Sequence, residues 1–421
     1  MSLKITKMMQ RNKFGCRFCN EPLENLFIEL GNAPPTNSFR TEEQLNEPEV
    51  AYPLRVFVCN KCYLVQVDEH KEHNEIFGSD YVYFSSVSKP WLEHCKKYAD
   101  FIIPNLNLNN KSQVIEIASN DGYLLQYFQE KGIPVLGIEP SSSTAKVAIK
   151  KGITTIEKFF GIELAEKIVK SGTKADLLIG NNVLAHVPNL YDFVGGLEKI
   201  LGDEGVLTME FPHLKNIVEQ NQFDTIYQEH YSYFSFNVVK KILNFHELEL
   251  FDVEEIPTHG GSLRIYAKHL KDNTKKISER VNLLEKKEID SGMMSLEYYK
   301  GFALQVNKVK YDLLKFLIEQ KENGKSSVGY GAAAKGNTLL NYCGIRKDLL
   351  NYVADLTPFK QGKYLPQSHI PVVGEEKLKE TKPDNILILP WNFKDSIKKR
   401  LEYTREWGAK LIVPIPKLEI L

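Results

Sequence analysis

The sequence predicts an α/β protein: a small cysteine-bearing N-terminal domain followed by two Rossmann-like units. Three observations predict it. Two Cys-x-x-Cys pairs fall within the first 62 residues. Short apolar runs alternate with helix-patterned stretches from 113 to 211, and the alternation restarts near 327. Strands and helices in that order imply parallel sheets flanked by helices.

The first element is the cysteine quartet. Cys16-Arg17-Phe18-Cys19 and Cys59-Asn60-Lys61-Cys62 are separated by 39 residues, 20 to 58. Four thiolates at this spacing can surround one zinc ion tetrahedrally, each pair forming a knuckle. The gap is longer than a minimal finger, so a small domain lies between the pairs. Two disulfides are disfavoured, because Cys95 and Cys343 are isolated and no secretory signal is evident. With Cys16, Cys19, Cys59 and Cys62 as ligands the metal has no open position, which makes it structural.

The next element, Gln113 to Ile117, is a short buried strand that runs through Ala118, Ser119, Asn120, Asp121 and Gly122 into a helix. Glu116 sits at the strand end, and the small residues after it let the backbone approach a ligand. A second strand, Pro134 to Ile138, ends at Glu139 and Pro140. Glu139 lies 23 residues after Glu116, where a doubly wound fold places an acid for ribose hydroxyls. The three glycines of a dinucleotide loop are missing. A nucleoside without phosphates, S-adenosylmethionine, fits better. A third strand, 175–180, delivers Asn181 and Asn182 to the same edge, and a fourth spans 205–211. Phe159 or Phe160 is expected near the adenine.

The segment Tyr227-Gln228-Glu229-His230-Tyr231-Ser232-Tyr233 has no clean helical or strand period. A histidine flanked by a carboxylate and phenols suits proton transfer, since imidazole titrates near neutrality. A polar strand edge is the plainer reading. Residues 271–325 read as one or two connecting helices with a solvated charged face. The last third opens with strand, small-residue turn and helix: Ser327 to Tyr330, then Gly331-Ala332-Ala333-Ala334-Lys335-Gly336-Asn337. That turn offers amides and a lysine at a helix N-terminus, an anion site. Tight strand–helix packing alone is the alternative.

Lys and Arg number 54, as do Asp and Glu, so the charge balance points to neither nucleic acid nor membranes. No apolar run approaches the about 20 residues that span a bilayer. A soluble, cytoplasmic, monomeric enzyme is expected. The domains are expected at 1–68 (zinc-binding), 69–270 (methyl donor, with a helical lead-in over 69–106), 271–325 (connecting helices) and 326–421 (second α/β unit, with the anion site).

Taken together, the chain resembles the three-domain sugar C-methyltransferases that act on nucleotide-linked 4-keto-6-deoxyhexoses. The resemblance covers nearly the full length. It rests on the Cys-x-x-Cys pairs, Gly31-Asn32-Ala33-Pro34-Pro35-Thr36-Asn37, the turn from Glu116 to Gly122, Asn181-Asn182-Val183-Leu184-Ala185-His186-Val187, Tyr227-Gln228-Glu229-His230, His259-Gly260-Gly261-Ser262 and the turn from Gly329 to Leu340. It implies a general base at His230, with Tyr227, Glu229, His186 and Tyr81 beside it. His186 as a mere pocket residue and Tyr81 as loop packing stay open. The implied reaction removes the proton alpha to the ketone and methylates that carbon, C-3′. Glu229 would orient His230, while Tyr227, Tyr81 or His186 would donate to the enolate oxygen. Ser262, Tyr330, Lys335, Gly336 and Asn337 are the expected substrate contacts. An O- or N-methyltransferase and a non-catalytic zinc-and-SAM module are the competing classes.

Overall fold

A computed structural model describes residues 15–70 and 84–421. The N-terminal sheet is antiparallel: β1 (Asn25–Ala33), β2 (Tyr52–Val58) and β3 (Val65–Val67) in sequence. Alternate residues of β2 (Leu54, Val56, Val58) are buried, the two-residue period of a sheet with one face on a core.

The central sheet holds β4 (Val114–Ile117), β5 (Val135–Ile138), β6 (Thr155–Ile156), β7 (Ala175–Asn181) and β8 (Leu201–Pro212). β9 (Ser232–Tyr233) leaves that sheet and pairs antiparallel with β3, completing the N-terminal one. β10 (Leu248–Ile256) and β11 (Ser262–His269) return to the centre. The central order is β10-β11-β8-β7-β4-β5-β6. β11 alone runs against its neighbours there. Chain order reverses at β4, which lies between β5 and β7, so a ligand crevice opens at its carboxyl end.

The C-terminal sheet repeats this logic with β12 (Ser327–Tyr330), β13 (Val353–Ala354), β14 (Val372–Val373), β15 (Asn385–Ile388), β16 (Lys410–Val413) and β17 (Glu419–Ile420). Its order is β14-β13-β12-β15-β16-β17, and only β17 is antiparallel. Both Rossmann-like units foreseen from the apolar runs are present. At Gly331 φ is +84° and an added Cβ would meet Pro390 at 2.6 Å, so this turn demands glycine.

Helices Glu279–Asp290 and Phe302–Glu322 occupy the lysine-rich stretch. The second carries the N-terminal sheet onto the C-terminal one: Phe27 stacks on Phe302 at 4.5 Å, and one buried apolar cluster runs from Ile28 through Leu313 to Ile386. A continuous core holds the two domains as one packed body. Before the central sheet, helix Lys89–Asn105 is capped by Ser88 and starts with Pro90 at its first turn. His94 contacts Glu210 at 2.9 Å and Tyr98 meets Thr208 at 2.6 Å, fixing this helix to β8. Among the described residues no helix is long and apolar enough to cross a membrane.

Candidate active site

The sulfurs of Cys16, Cys19, Cys59 and Cys62 all lie within 4.8 Å of one another. Cys16–Cys62 is 3.5 Å and Cys19–Cys59 is 3.4 Å. Zinc–sulfur bonds of about 2.3 Å place tetrahedral ligands roughly 3.8 Å apart. The quartet therefore fits one zinc ion. Gln66 Nε2 donates to Cys16 Sγ at 3.2 Å, which orients that sulfur.

One cleft of about 1220 Å³ collects the carboxyl ends of both parallel sheets and the segment after β1. At its central-sheet end lie Ala118, Asn120, Glu139, Pro140, Phe160, Asn181 and Asn182. Ala118, Asn120 and Asn182 hold φ values of +57°, +49° and +53°. Such left-handed residues persist where the surrounding fold enforces them, often at ligand sites. Glu139 accepts from the Asn120 amide at 2.9 Å and the Ser141 amide at 2.8 Å. Burial raises its pKa, and those amides oppose the rise. The Ser141 and Thr144 hydroxyls also bear on this carboxylate, which faces the cleft. Asn182 Oδ1 is a buried acceptor with no partner. Phe159 and Phe160 form an apolar wall. These groups fit S-adenosylmethionine.

Three of the expected cofactor residues shape the turn and do not line the cleft. Glu116 is buried beneath it, where desolvation raises its pKa well above normal despite the nearby Tyr123 hydroxyl. Ser119 packs under Gly137. Gly122 has φ +76°, and a Cβ there would strike Ile153 at 2.3 Å.

His186, Tyr227, Glu229 and His230 meet in the middle of the cleft. His230 Nδ1 lies 2.8 Å from the Thr225 carbonyl, so Nδ1 carries the proton and Nε2 the lone pair. His186 Nδ1 is 2.8 Å from the Glu229 carbonyl, which sets the same tautomer. The two rings are 4.7 Å apart, and Tyr227 lies 4.0 Å from the His230 ring. Burial holds His230 well below the usual imidazole range, helped by the neighbouring His186. Burial lowers His186 to about 4 against its carbonyl contact. Both rings are therefore neutral at pH 7. Glu229 does not orient His230 as expected: a backbone carbonyl does. The Glu229 carboxylate is held instead by Asn37 Nδ2, at 3.1 and 3.3 Å. Nor is neutral His186 a donor through Nε2, which is its lone-pair nitrogen. Tyr81 lies outside the described residues.

The C-terminal expectations need more correction. Lys335 lines the cleft; Ser262, Tyr330, Gly336 and Asn337 do not. Ser262 Oγ donates to the Thr258 carbonyl, Tyr330 Oη to Glu375, and Asn337 Nδ2 to the Thr36 carbonyl. Gly336 packs on Leu389. Strand alternation turns Tyr330 away from the mouth, and the helix start turns Asn337 inward. The cleft is walled here by Ala333, Ala334, Thr357, Phe359, Lys360, Asn392 and Phe393. Phe359 and Phe393 are exposed. Lys335 Nζ bonds the His259 carbonyl at 3.1 Å and lies 5.1 Å from the Trp391 ring centre. Burial lowers its pKa, opposed by Asp224. Sequence reasoning missed Asn37, Trp91, Thr225 and Phe359 as well. Only Asn37 carried a signal, as part of the Gly31–Asn37 motif.

A nucleoside-binding strand edge beside a pair of neutral imidazoles, with a closed metal site outside the cleft, defines a SAM-dependent methyltransferase that carries a structural zinc. Three family models match in sequence: one named for zinc binding at residues 16–77, a methyltransferase domain at 91–250 and a C-methyltransferase C-terminal domain at 257–416. The C-methyltransferase NovU of Streptomyces niveus is 30% identical over 406 residues, 96% of each chain. The chain belongs to this C-methyltransferase family, which sets aside O- and N-methyl transfer and the non-catalytic module. Solved structures match more distantly. The magnesium protoporphyrin IX methyltransferase of Synechocystis PCC 6803 with bound SAM is 17% identical, covering 46% of this chain and 88% of that one, with a TM-score of 0.33. The PH0226 protein of Pyrococcus horikoshii OT3 is 12% identical, covering 48% and 99%, with a TM-score of 0.35.

Proposed function

We propose that the enzyme methylates the carbon alpha to the ketone, C-3′, of a nucleotide-linked 4-keto-deoxysugar, with His230 as the base. The supporting observation is the state of His230: buried, neutral, with Nδ1–H engaged by Thr225 and the lone pair on Nε2. S-adenosylmethionine supplies, when bound, a methyl group on a positively charged sulfur.

Glu139, Asn181 and Asn182, which line the cleft at the central-sheet end, would hold the cofactor. His230 Nε2 takes the alpha proton, and the C–H electron pair moves into an enolate. Tyr227 donates to the enolate oxygen, since His186 presents an acceptor. The enolate carbon would then bond to the methyl carbon as the methyl–sulfur bond breaks, the electron pair of that bond staying on sulfur and the neutral demethylated thioether leaving. The Glu229 carboxylate keeps negative charge in the cleft beside the imidazolium that results. The nucleotide lies along the C-terminal wall, its base against Phe359 or Phe393 and its diphosphate near Lys335 and Lys360. A cleft of about 1220 Å³ has room for both molecules.

The test is a panel of nucleotide-linked 4-keto sugars in deuterated water, first without the methyl donor and then with it. Deuterium exchange alpha to the ketone and a mass gain of one methyl are expected. Methylation without any alpha exchange capacity in the substrate would overturn the reading.

A further inference from the structure

We infer that Asn37 of the zinc-binding domain is a positioning residue for the Glu229–His230 pair, so that this domain supplies part of the active site. The inference rests on the proton-transfer reading of that pair. Asn37 is half-buried and lines the cleft, and its Nδ2 donates to both oxygens of Glu229 at 3.1 and 3.3 Å. One amide spanning both oxygens fixes the plane of the carboxylate and favours its charged form.

The strap that carries Asn37 is itself anchored on two sides. Gln228 Nε2 donates to the Ala33 carbonyl at 2.7 Å, and Asn337 Nδ2 to the Thr36 carbonyl at 2.6 Å. Gln228 immediately precedes Glu229, while Asn337 belongs to the C-terminal domain. The strap is thus pinned between the two walls of the cleft, with Asn37 the member that reaches a functional side chain. Removing the Asn37 side chain leaves both anchors in place, so the substitution isolates the Glu229 contact.

Four measurements on the full-length zinc-loaded protein test this: melting temperature, SAM affinity, alpha-proton exchange and the pH–rate profile. Asn37→Ala is expected to fold, bind SAM normally and lose roughly ten- to hundredfold in kcat, the worth of a hydrogen bond to a charged group. KM should move less. Asn37→Asp places a second carboxylate against Glu229, which raises the pKa of the pair and moves the acid limb to higher pH. In a Glu229→Ala background Asn37→Ala should add nothing, since it acts through that carboxylate. Glu229→Gln replaces that background if the alanine variant does not fold. Wild-type kcat and pH profile in Asn37→Ala, beside a slowed Glu229 variant, would overturn the inference alone. Full turnover in both Glu229 variants would overturn the reading of the pair and the inference with it.

Discussion

The guanidinium of Arg17 donates to the carbonyl of Tyr231 at 3.0 Å and to that of Val67 at 2.8 Å. Arg17 lies inside the first Cys-x-x-Cys knuckle, and Tyr231 directly follows His230. The Val67 amide bonds the same Tyr231 carbonyl at 3.1 Å, and the Arg17 amide donates to Gln66, whose own amide reaches Cys16. On the other side the Tyr231 amide donates to the Ala185 carbonyl at 2.7 Å, next to His186. The metal knuckle and both imidazoles are thus joined through one short run of backbone. A closed zinc site would ordinarily matter only for stability. Here it also sets where residue 231 lies.

Zinc removal should therefore act on chemistry before it unfolds the protein. One zinc per chain is expected by metal analysis of the purified enzyme. Partial chelation should slow alpha-proton exchange while SAM affinity persists, because Glu139 and its turn lie on a different sheet. Arg17→Ala should reproduce that split with zinc retained, and cost about 1–3 kcal/mol in urea unfolding, because the Val67 carbonyl loses its guanidinium donor and the Tyr231 carbonyl keeps only the Val67 amide. Equal loss of SAM binding and exchange would show the domain to be structural only.

Much of this site was legible because its chemistry is local in sequence. Spacing alone marks the cysteine quartet, and a strand ending at an acid marks Glu139. What was not legible is carried by backbone or by distance. The Thr225 carbonyl that sets the His230 tautomer has no side-chain signature. Asn37 meets Glu229 across 192 positions. In the C-terminal turn the eye-catching letters, Tyr330 and Asn337, point into packing. The plain Ala333 and Ala334 face the ligand space. The Rossmann-like units were readable because buried parallel strands are apolar runs. That β9 would leave for the N-terminal sheet was not, since two residues carry no period.

Glu139→Ala should weaken SAM binding by about 1.5–3 kcal/mol, the range for hydrogen bonds to a charged acceptor. The loss includes loosening of the Asn120 amide that the carboxylate holds. Calorimetry with SAM or its demethylated product reads it directly. Unchanged affinity would move the ribose away from this strand end.

The buried histidines also predict how the enzyme responds to acid. Burial holds His186 and His259 at about 4, while the unfolded chain titrates near about 6.5. The unfolded state therefore binds more protons in this window, and stability rises with pH across it. Stability should be complete above about pH 6.5 and decline as pH falls toward about 4. The urea midpoint at pH 5 should lie below that at pH 7. The acid limb of kcat/KM should likewise fall below the pH of an ordinary imidazole, because His230 stays neutral there. A limb at or above about pH 6.5 would mean that another group titrates in the reaction.

His230 carries the sharpest expectation. With its Nδ1–H committed to Thr225 and Nε2 bearing the lone pair, it can accept a proton without any rearrangement of its own. His230→Ala should keep the fold and SAM affinity and lose about 10²–10⁴-fold in turnover, the usual worth of a positioned base. Alpha-proton exchange should vanish with it, even without SAM. His230 also packs at 4.0 Å on Tyr227, so a structural role would lower the melting temperature yet leave turnover per folded molecule appreciable. Measuring exchange and melting temperature on the same variant separates the two. Near-normal exchange in a folded His230→Ala protein would transfer the base to His186, whose ring is 4.7 Å away and shares its tautomer.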